Sequence, residues 1–391
     1  MLSIKENIYW IGVKDWELKT FHGEELSTHR GSSYNSYLIK DEKTVLVDTV
    51  WSPYKEEFIS RLEKEVGLDN IDLIVVNHCE VDHAGSLELL MSKIPEVPIY
   101  CTAKGAEMIE KNYHHKWNFQ VVKTGDSVNI GKYELVFVEM PMLHWPDSML
   151  TYVKGANLVL SNDAFGQHYA AGSLFNDEAD NCEIYQEALK YYANILSPFS
   201  PLVKKKIDEI KAMNLPIDMI APSHGIIWRD NPMQIVEAYY KWAQNYQEDQ
   251  VVIVYDTMWE ATKKMAEAIG EGLEAAGQKV KIFNSGKKDK NDIITEIFKA
   301  KAVLFGCSTV NRGILSGMAA LLQELNGLKL KKSAAAFASY GWSGEALEIL
   351  TDRMTKGGFK IVQDGIQVQW QPNSDQLEEC RAFGRAFAGK L

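Results

Sequence analysis

The sequence predicts two α/β domains in tandem, and three observations carry that expectation. The chain has 391 residues, more than one hydrophobic core usually supports. All nine histidines fall between His22 and His224, and none follows. Beyond residue 249, five short apolar runs alternate with helical patterns. That alternation is the signature of a doubly wound parallel sheet with helices on both faces. The polar stretch Asn245-Tyr246-Gln247-Glu248-Asp249-Gln250 marks the boundary, which divides the chain into residues 1–248 and 249–391.

In the first part, apolar strand candidates end at Leu38-Ile39, Val45-Leu46-Val47, Ile74-Val75-Val76, Leu135–Val138, Leu158-Val159-Leu160 and Met219-Ile220-Ala221. They are short, β-branched and bounded by polar residues, which favours strand over helix. Arg229-Asp230-Asn231-Pro232 reads as a turn, followed by a helix over 233–247. In the second part, strands are predicted near 251–255, 280–283, 302–306, 333–339 and 361–368. Helical patterns occupy 260–276, 291–299, 315–326 and 343–356, and a last helix runs from about Asp375 to Phe387.

Composition narrows the function classes. Apolar residues make up 46% and charged residues 24%, an ordinary globular balance. A net charge of -11 argues against nucleic acid as a partner. The N-terminus lacks a basic region followed by an apolar stretch, so no signal peptide is evident. No apolar run approaches the roughly 20 residues of a membrane helix. The five cysteines (Cys79, Cys101, Cys182, Cys307, Cys380) are scattered and form no Cys-x-x-Cys pair. Disulfide scaffolds and thiolate metal centres are therefore disfavoured. A soluble cytoplasmic protein is expected.

The chemistry concentrates in His78-Cys79-Glu80-Val81-Asp82-His83, directly after the apolar run 71–77. His144, Asp163 and His224 each follow a strand candidate in the same way. The carboxyl ends of parallel neighbours gather along one sheet edge, so these groups can converge. A lone histidine at a strand end is more often a hydrogen-bonded surface residue; the joint pattern is what points to metal. Imidazoles mixed with carboxylates, and no usable thiolate, suit iron or manganese better than structural zinc. Seven ligands exceed what one ion needs. Two ions bridged by a carboxylate are expected, with Asp163, alone on its loop, as the bridge. His114 and His115 fit no motif and are expected to face solvent.

Three loops of the second part form another constellation. Asp256-Thr257-Met258-Trp259-Glu260-Ala261-Thr262 opens a helix, where hydroxyls and backbone N–H groups make a phosphate seat. Ser308-Thr309-Val310-Asn311-Arg312-Gly313 and Ser339-Tyr340-Gly341-Trp342-Ser343-Gly344 follow the third and fourth strands. They could flank a flat ring, with Tyr340 or Trp342 offering an aromatic face. The Gly-rich dinucleotide fingerprint is absent, which argues for a mononucleotide. Packing of Trp342 into the core and helix capping by Thr257 or Thr262 are the plainer alternatives.

His78-x-Glu80-x-Asp82-His83 resembles the His-x-His-x-Asp-His pattern of the metallo-β-lactamase fold, and more narrowly its flavodiiron branch. The three later loops are similar to the FMN-binding segments of flavodoxin. The resemblance covers the whole chain in the right domain order. It implies an N-terminal metallo-β-lactamase-like αββα sandwich followed by a flavodoxin-like doubly wound parallel five-stranded sheet. It assigns His78, Glu80 and His144 to one iron and Asp82, His83 and His224 to the other, with Asp163 shared. His22 matches a pocket histidine of the family and Tyr192 a tyrosine near the irons; His168 follows the bridging loop. The phosphate loop departs from the usual pattern at Glu260 and Ala261. A glutamate beside a phosphate is repulsive, so Glu260 is expected to contribute backbone only.

The implied activity is reduction of O2 to water, of NO to N2O, or both, at a diiron centre fed through FMN. Two ferrous ions and one reduced flavin hold the four electrons that O2 needs. The resemblance also implies a head-to-tail homodimer or dimer of dimers. No donor domain follows the last helix, so an external donor is expected, rubredoxin or a reduced deazaflavin. Lys287-Lys288-Asp289-Lys290 reads as a solvated loop rather than a docking site. Two other classes are set against this: a dinuclear zinc hydrolase, which Glu80 disfavours, and an electron carrier with a structural metal.

Overall fold

The structure is a computed structural model that describes all 391 residues. The chain forms two compact units: residues 1–192 with 199–243, and residues 193–198 with 244–391.

The first unit is built on two sheets. One has seven strands, in the order Leu2–Lys5, Ile8–Trp10, Tyr37–Lys40, Thr44–Val47, Leu73–Val75, Ile99–Cys101, Phe119–Val121. The other has five, in the order Ser127–Asn129, Glu134–Glu139, Met149–Lys154, Leu158–Asn162, Met219–Pro222. Period-two alternation decides which core each side chain joins. Val45, Val47, Leu73 and Val75 meet Phe137, Met149, Val153 and Leu160 between the sheets. Their neighbours Leu46 and Ile74 point the other way, onto Phe58, Leu62, Leu87, Leu90 and Ile109 of the covering helices.

Strand direction then sets the working edge. Thr44–Val47, Leu73–Val75, Ile99–Cys101 and Phe119–Val121 are mutually parallel. In the second sheet, Glu134–Glu139 and Leu158–Asn162 run the same way because each is antiparallel to Met149–Lys154 between them. Met219–Pro222 is parallel to Leu158–Asn162. The loops after these strands carry His78 to His83, His144, Asp163 and His224.

Several expected boundaries move. The helix predicted over 233–247 ends at Trp242. Asn245 then takes a left-handed φ of 55°, which no helix continues. The strand Met149–Lys154 was not anticipated, although five of its six residues are buried. Ile8–Trp10, Ile99–Cys101 and Phe119–Val121 have three residues each, too few to show a period.

The second unit is a parallel sheet in the order Val280–Asn284, Glu248–Asp256, Ala300–Ser308, Ser333–Tyr340. The fifth position is occupied by two short pieces, Lys360–Ile361 and Ile366–Gln369, both parallel to Ser333–Tyr340. The continuous strand expected over 361–368 is thus interrupted. Asp364-Gly365 is a turn-forming pair, and a Cβ on Gly365 would lie 2.4 Å from Leu347 Cδ1. The chain is pressed against the helix Ala346–Lys356 there and leaves the ladder. Both faces are covered, as the near-continuous apolar runs require. The strand order reverses between Glu248–Asp256 and Ala300–Ser308, and the crevice at their carboxyl ends is the usual ligand position of such sheets. No helix is long and apolar enough to cross a membrane.

Candidate metal centre and flavin crevice

Seven side chains converge in the first unit as two groups. The ligand atoms of His78, Glu80, His144 and Asp163 lie within 4.8 Å of one another, and those of Asp82, His83 and His224 form a second such group. Asp163 divides its carboxylate between them. Its Oδ2 lies 3.3 Å from His144 Nε2 and 3.7 Å from His78 Nε2. Its Oδ1 lies 2.8 Å from His83 Nε2 and 3.6 Å from His224 Nε2. Glu80 Oε2 closes the first group at 3.2 Å from His78 Nε2 and 3.5 Å from His144 Nε2. Asp82 Oδ2 closes the second, 2.9 Å from His224 Nε2 and 3.1 Å from His83 Nε2.

These separations have a physical meaning. Two ligand atoms at about 2.1 Å from one ion and at right angles are ~3 Å apart. Both oxygens of Asp82 and Asp163 and both ring nitrogens of His83 are buried without a hydrogen-bond partner. Buried carboxylates are rarely left so unless a cation satisfies them. The ion pairs of Glu80, Asp82 and Asp163 are all to histidine. The donor set therefore fits two cations sharing Asp163. Burial opposes charge on His83, but Asp82 and Asp163 outweigh it and raise its pKa to about 9. Metal must displace such protons, so loading releases them.

Surrounding groups aim the ligands. Asp147 accepts from His78 Nδ1 at 3.1 Å on each oxygen and from the Cys79 N–H at 2.7 Å. The Ser33 carbonyl accepts from His224 Nδ1 at 2.7 Å. Each contact leaves Nε2 as the nitrogen free for metal. Gly225 has φ +73°, and a Cβ there would lie 1.9 Å from Gln167 Oε1; its N–H donates to Ser33 Oγ at 2.7 Å. That glycine lets the chain turn immediately after His224. The Ser223 N–H donates to the Asn162 carbonyl at 2.8 Å, tying together the loops of His224 and Asp163.

Two of the three expected auxiliary residues lie against the cluster. His22 Nε2 is 2.9 Å from Glu80 Oε1. His168 pairs its Nδ1 with Ser32 Oγ at 2.8 Å, and its Nε2 is buried without a partner. Burial and the neighbouring His224 and His22 hold His168 far below the usual histidine pKa, so it is neutral. Tyr192 is a correction. Its hydroxyl pairs with Ser200 at 2.9 Å and its ring packs on Tyr239 and Trp242. Tyr191 stands against His168 instead, ring centroids 5.5 Å apart. One helical residue is about a 100° rotation, which decides the matter. Burial, then Asp163, push the Tyr191 hydroxyl well above its ordinary pKa. Asp147 was missed altogether, although it stands three residues after His144. His114 and His115 are exposed.

In the second unit a cavity of about 450 Å³ opens at the strand crevice. Met258, Trp259 and Ala261 line it from the first loop, Ser308, Thr309, Val310, Asn311 and Arg312 from the second, and Ser339, Tyr340, Gly341 and Trp342 from the third. Thr262 Oγ1 lies 2.8 Å from both Ser308 Oγ and Ser339 Oγ, pinning the ends of two strands to the helix start. Thr257 Oγ1 is buried without a partner. Glu260 turns outward, 63% exposed and 3.4 Å from Lys263 Nζ, leaving only backbone toward the helix N-terminus. Asn311 and Arg312 have φ of +49° and +58°, and Gly313 closes their tight turn through its N–H to the Val310 carbonyl at 2.7 Å. Gly344 packs near Tyr340. Ser343 of the third loop also lines the cavity, and so do Trp370 and Gln371, which sequence reasoning missed. Trp259, Trp342 and Trp370 are exposed at its rim, the last two with ring centroids 6.3 Å apart. The mouth suits a flat aromatic ring and the helix start an anion.

Comparison with known proteins agrees with both units. Residues 253–384 match the family described as flavodoxin, and residues 33–225 the one described as ODP family beta lactamase. The chain is 52% identical over 392 residues to an anaerobic nitric oxide reductase flavorubredoxin of Escherichia coli, covering 99% of this chain and 82% of that protein. Among solved structures, the rubredoxin oxygen:oxidoreductase of Desulfovibrio gigas superposes with a TM-score of 0.95 at 35% identity, covering 100% of this chain and 99% of that one. The flavodiiron protein of Giardia intestinalis superposes with 0.94 at 32% identity, covering 100% and 96%.

Proposed function

This chain belongs to the flavodiiron proteins, and we propose that it reduces NO to N2O, O2 to water, or both, with electrons relayed through FMN from a rubredoxin-type donor. The observation that carries this assignment is the division of Asp163, one oxygen toward each group of ligands. In the same proposal, His78, Glu80 and His144 hold one iron, Asp82, His83 and His224 the other, and residues 1–248 and 249–391 are the two domains. The three loops around the crevice hold the flavin. A cytoplasmic head-to-tail homodimer, the flavin of one subunit serving the iron pair of its partner, completes it.

When bound, the iron pair supplies adjacent Lewis-acidic, redox-active positions and the flavin supplies the remaining electrons. The chain itself manages orientation and protons. Reducing O2 to two waters takes four electrons and four protons; coupling two NO to N2O and water takes two of each. Asp147 and the Ser33 carbonyl fix the tautomers of His78 and His224. Tyr191 keeps its proton throughout the physiological range and so remains a hydrogen-bond donor. Neutral His168, with Nε2 unpartnered, can accept or pass one. His22, half-buried on Glu80, lies between the cluster and solvent.

The test is anaerobic reduction followed by parallel O2 and NO consumption, with iron and FMN quantified on the same sample. Turnover of at least one gas with two irons and one flavin per chain is expected. A native preparation loaded with zinc alone, or turning over neither gas, would sink the proposal.

A further inference from the structure

A second cavity, of about 250 Å³, lies on the outer face of the five-stranded sheet. Its floor follows from strand alternation. Met149, Val153, Leu158 and Leu160 point into the inter-sheet core, so Val138, Leu150, Tyr152, Val159 and Ile220 point outward and form the floor. Ile207 and Ile210 of the helix Ser200–Ala212, with Met233 and Val236 of the helix Met233–Trp242, form the roof. Exposed Lys211, Met213 and Asn214 stand at the mouth, where the polar groups of the lining are gathered.

The inner end is closed by Phe165, two residues beyond Asp163. Phe165 has φ +70°, and Trp228 Nε1 donates to its carbonyl at 2.9 Å, which anchors the backbone that carries the ring. That ring packs on Tyr239 with centroids 4.9 Å apart. The Tyr239 hydroxyl is itself buried without a partner. Apolar space thus runs from the surface to the loop that carries the shared carboxylate.

The lining decides what the cavity takes. An ordered water needs two to four polar partners. The one hydroxyl of the floor, on Tyr152, is already engaged by the Pro216 carbonyl at 2.8 Å. Dry apolar cavities of about 150 Å³ take up xenon or benzene, and this one is larger. O2 and NO are uncharged, weakly polar and more soluble in apolar surroundings than in water. We propose that this cavity is an apolar antechamber that takes up the diatomic gas and delivers it past Phe165 to the Asp163 cluster. The inference rests on the gas-reductase function proposed above.

Xenon pressurisation of crystals of the holoprotein tests uptake without any turnover. Xenon is expected between Val159, Ile220 and Val236; an empty cavity overturns the proposal. Val159→Phe fills the floor, and Ile210→Trp, at a half-buried helix position, fills the roof with less risk to folding. Either is expected to raise the gas KM several-fold with kcat at saturating gas, iron content and flavin content unchanged, because only access is obstructed. An unchanged KM in a filled variant that no longer takes up xenon overturns delivery. Failure of the functional assignment has a different signature: wild-type protein with xenon in the cavity that consumes neither gas.

Discussion

Asp147 offers the sharpest test of how the metal centre is held. Its carboxylate is 1% exposed and accepts His78 Nδ1 at 3.1 Å on both oxygens, while the Cys79 N–H donates to it at 2.7 Å. Asp147→Ala removes the acceptor that fixes the His78 ring and leaves the Cys79 N–H buried without a partner. Loss of such an outer carboxylate typically lowers metal affinity by about 10- to 100-fold, which is about 1.4 to 2.7 kcal/mol. The orphaned N–H destabilises the fold by a further ~1 to 3 kcal/mol, with or without metal. Asp147→Asn keeps one accepting oxygen and should fall between. The two effects separate experimentally. Urea unfolding of the metal-free protein reads the second, and anaerobic iron titration against a chelator reads the first. Only the position built from His78, Glu80 and His144 should weaken, because the other group has no contact with Asp147. Wild-type affinity at both positions in Asp147→Ala would refute the orienting role.

Other expectations follow from the same geometry. Asp163→Ala should lose iron and both gas-reducing activities while the flavin spectrum stays nearly unchanged; retained turnover would count against a shared carboxylate. Tyr191→Phe should slow turnover at unchanged iron content, whereas Tyr192→Phe should leave turnover intact and lower stability by about 1 kcal/mol through the lost Ser200 contact. Stopped-flow gas consumption on iron-matched samples tells the two apart. Burial lowers the Lys332 ammonium to a pKa of about 8. Its unfolded value is about 10.4, so between about pH 8 and 10 the unfolded chain binds one more proton and stability rises with pH. The full effect is roughly 3 kcal/mol. Urea unfolding across that window should show the rise in wild type and lose that increment in Lys332→Met.

The clustering of these side chains was legible because its signal is local. His78, Glu80, Asp82 and His83 fall within six residues at a strand end, and His144, Asp163 and His224 repeat the same context. The alternation of the second part pointed to its parallel sheet for a similar reason: each of the five runs spans at least four residues and is separated from the next by a helical pattern. Asp147 gave no such signal. Nothing in Trp145-Pro146-Asp147-Ser148 says that the loop folds back onto His78. Tyr191 and Tyr192 are adjacent in sequence, and only the phase of their helix decides which one meets His168.

By itself the sequence determined the order of the two units, the side-chain types of the cluster, and the strand ends from which they project. These follow from short-range patterning, in which a residue's neighbours in the chain fix its backbone state. Only the tertiary structure decided how Asp163 divides its oxygens, which carboxylate steadies His78, where the fifth strand breaks, and that an apolar cavity ends at Phe165. Each depends on distances between segments far apart in sequence, and those distances are set by the packing of two sheets and their helices, which no local pattern encodes.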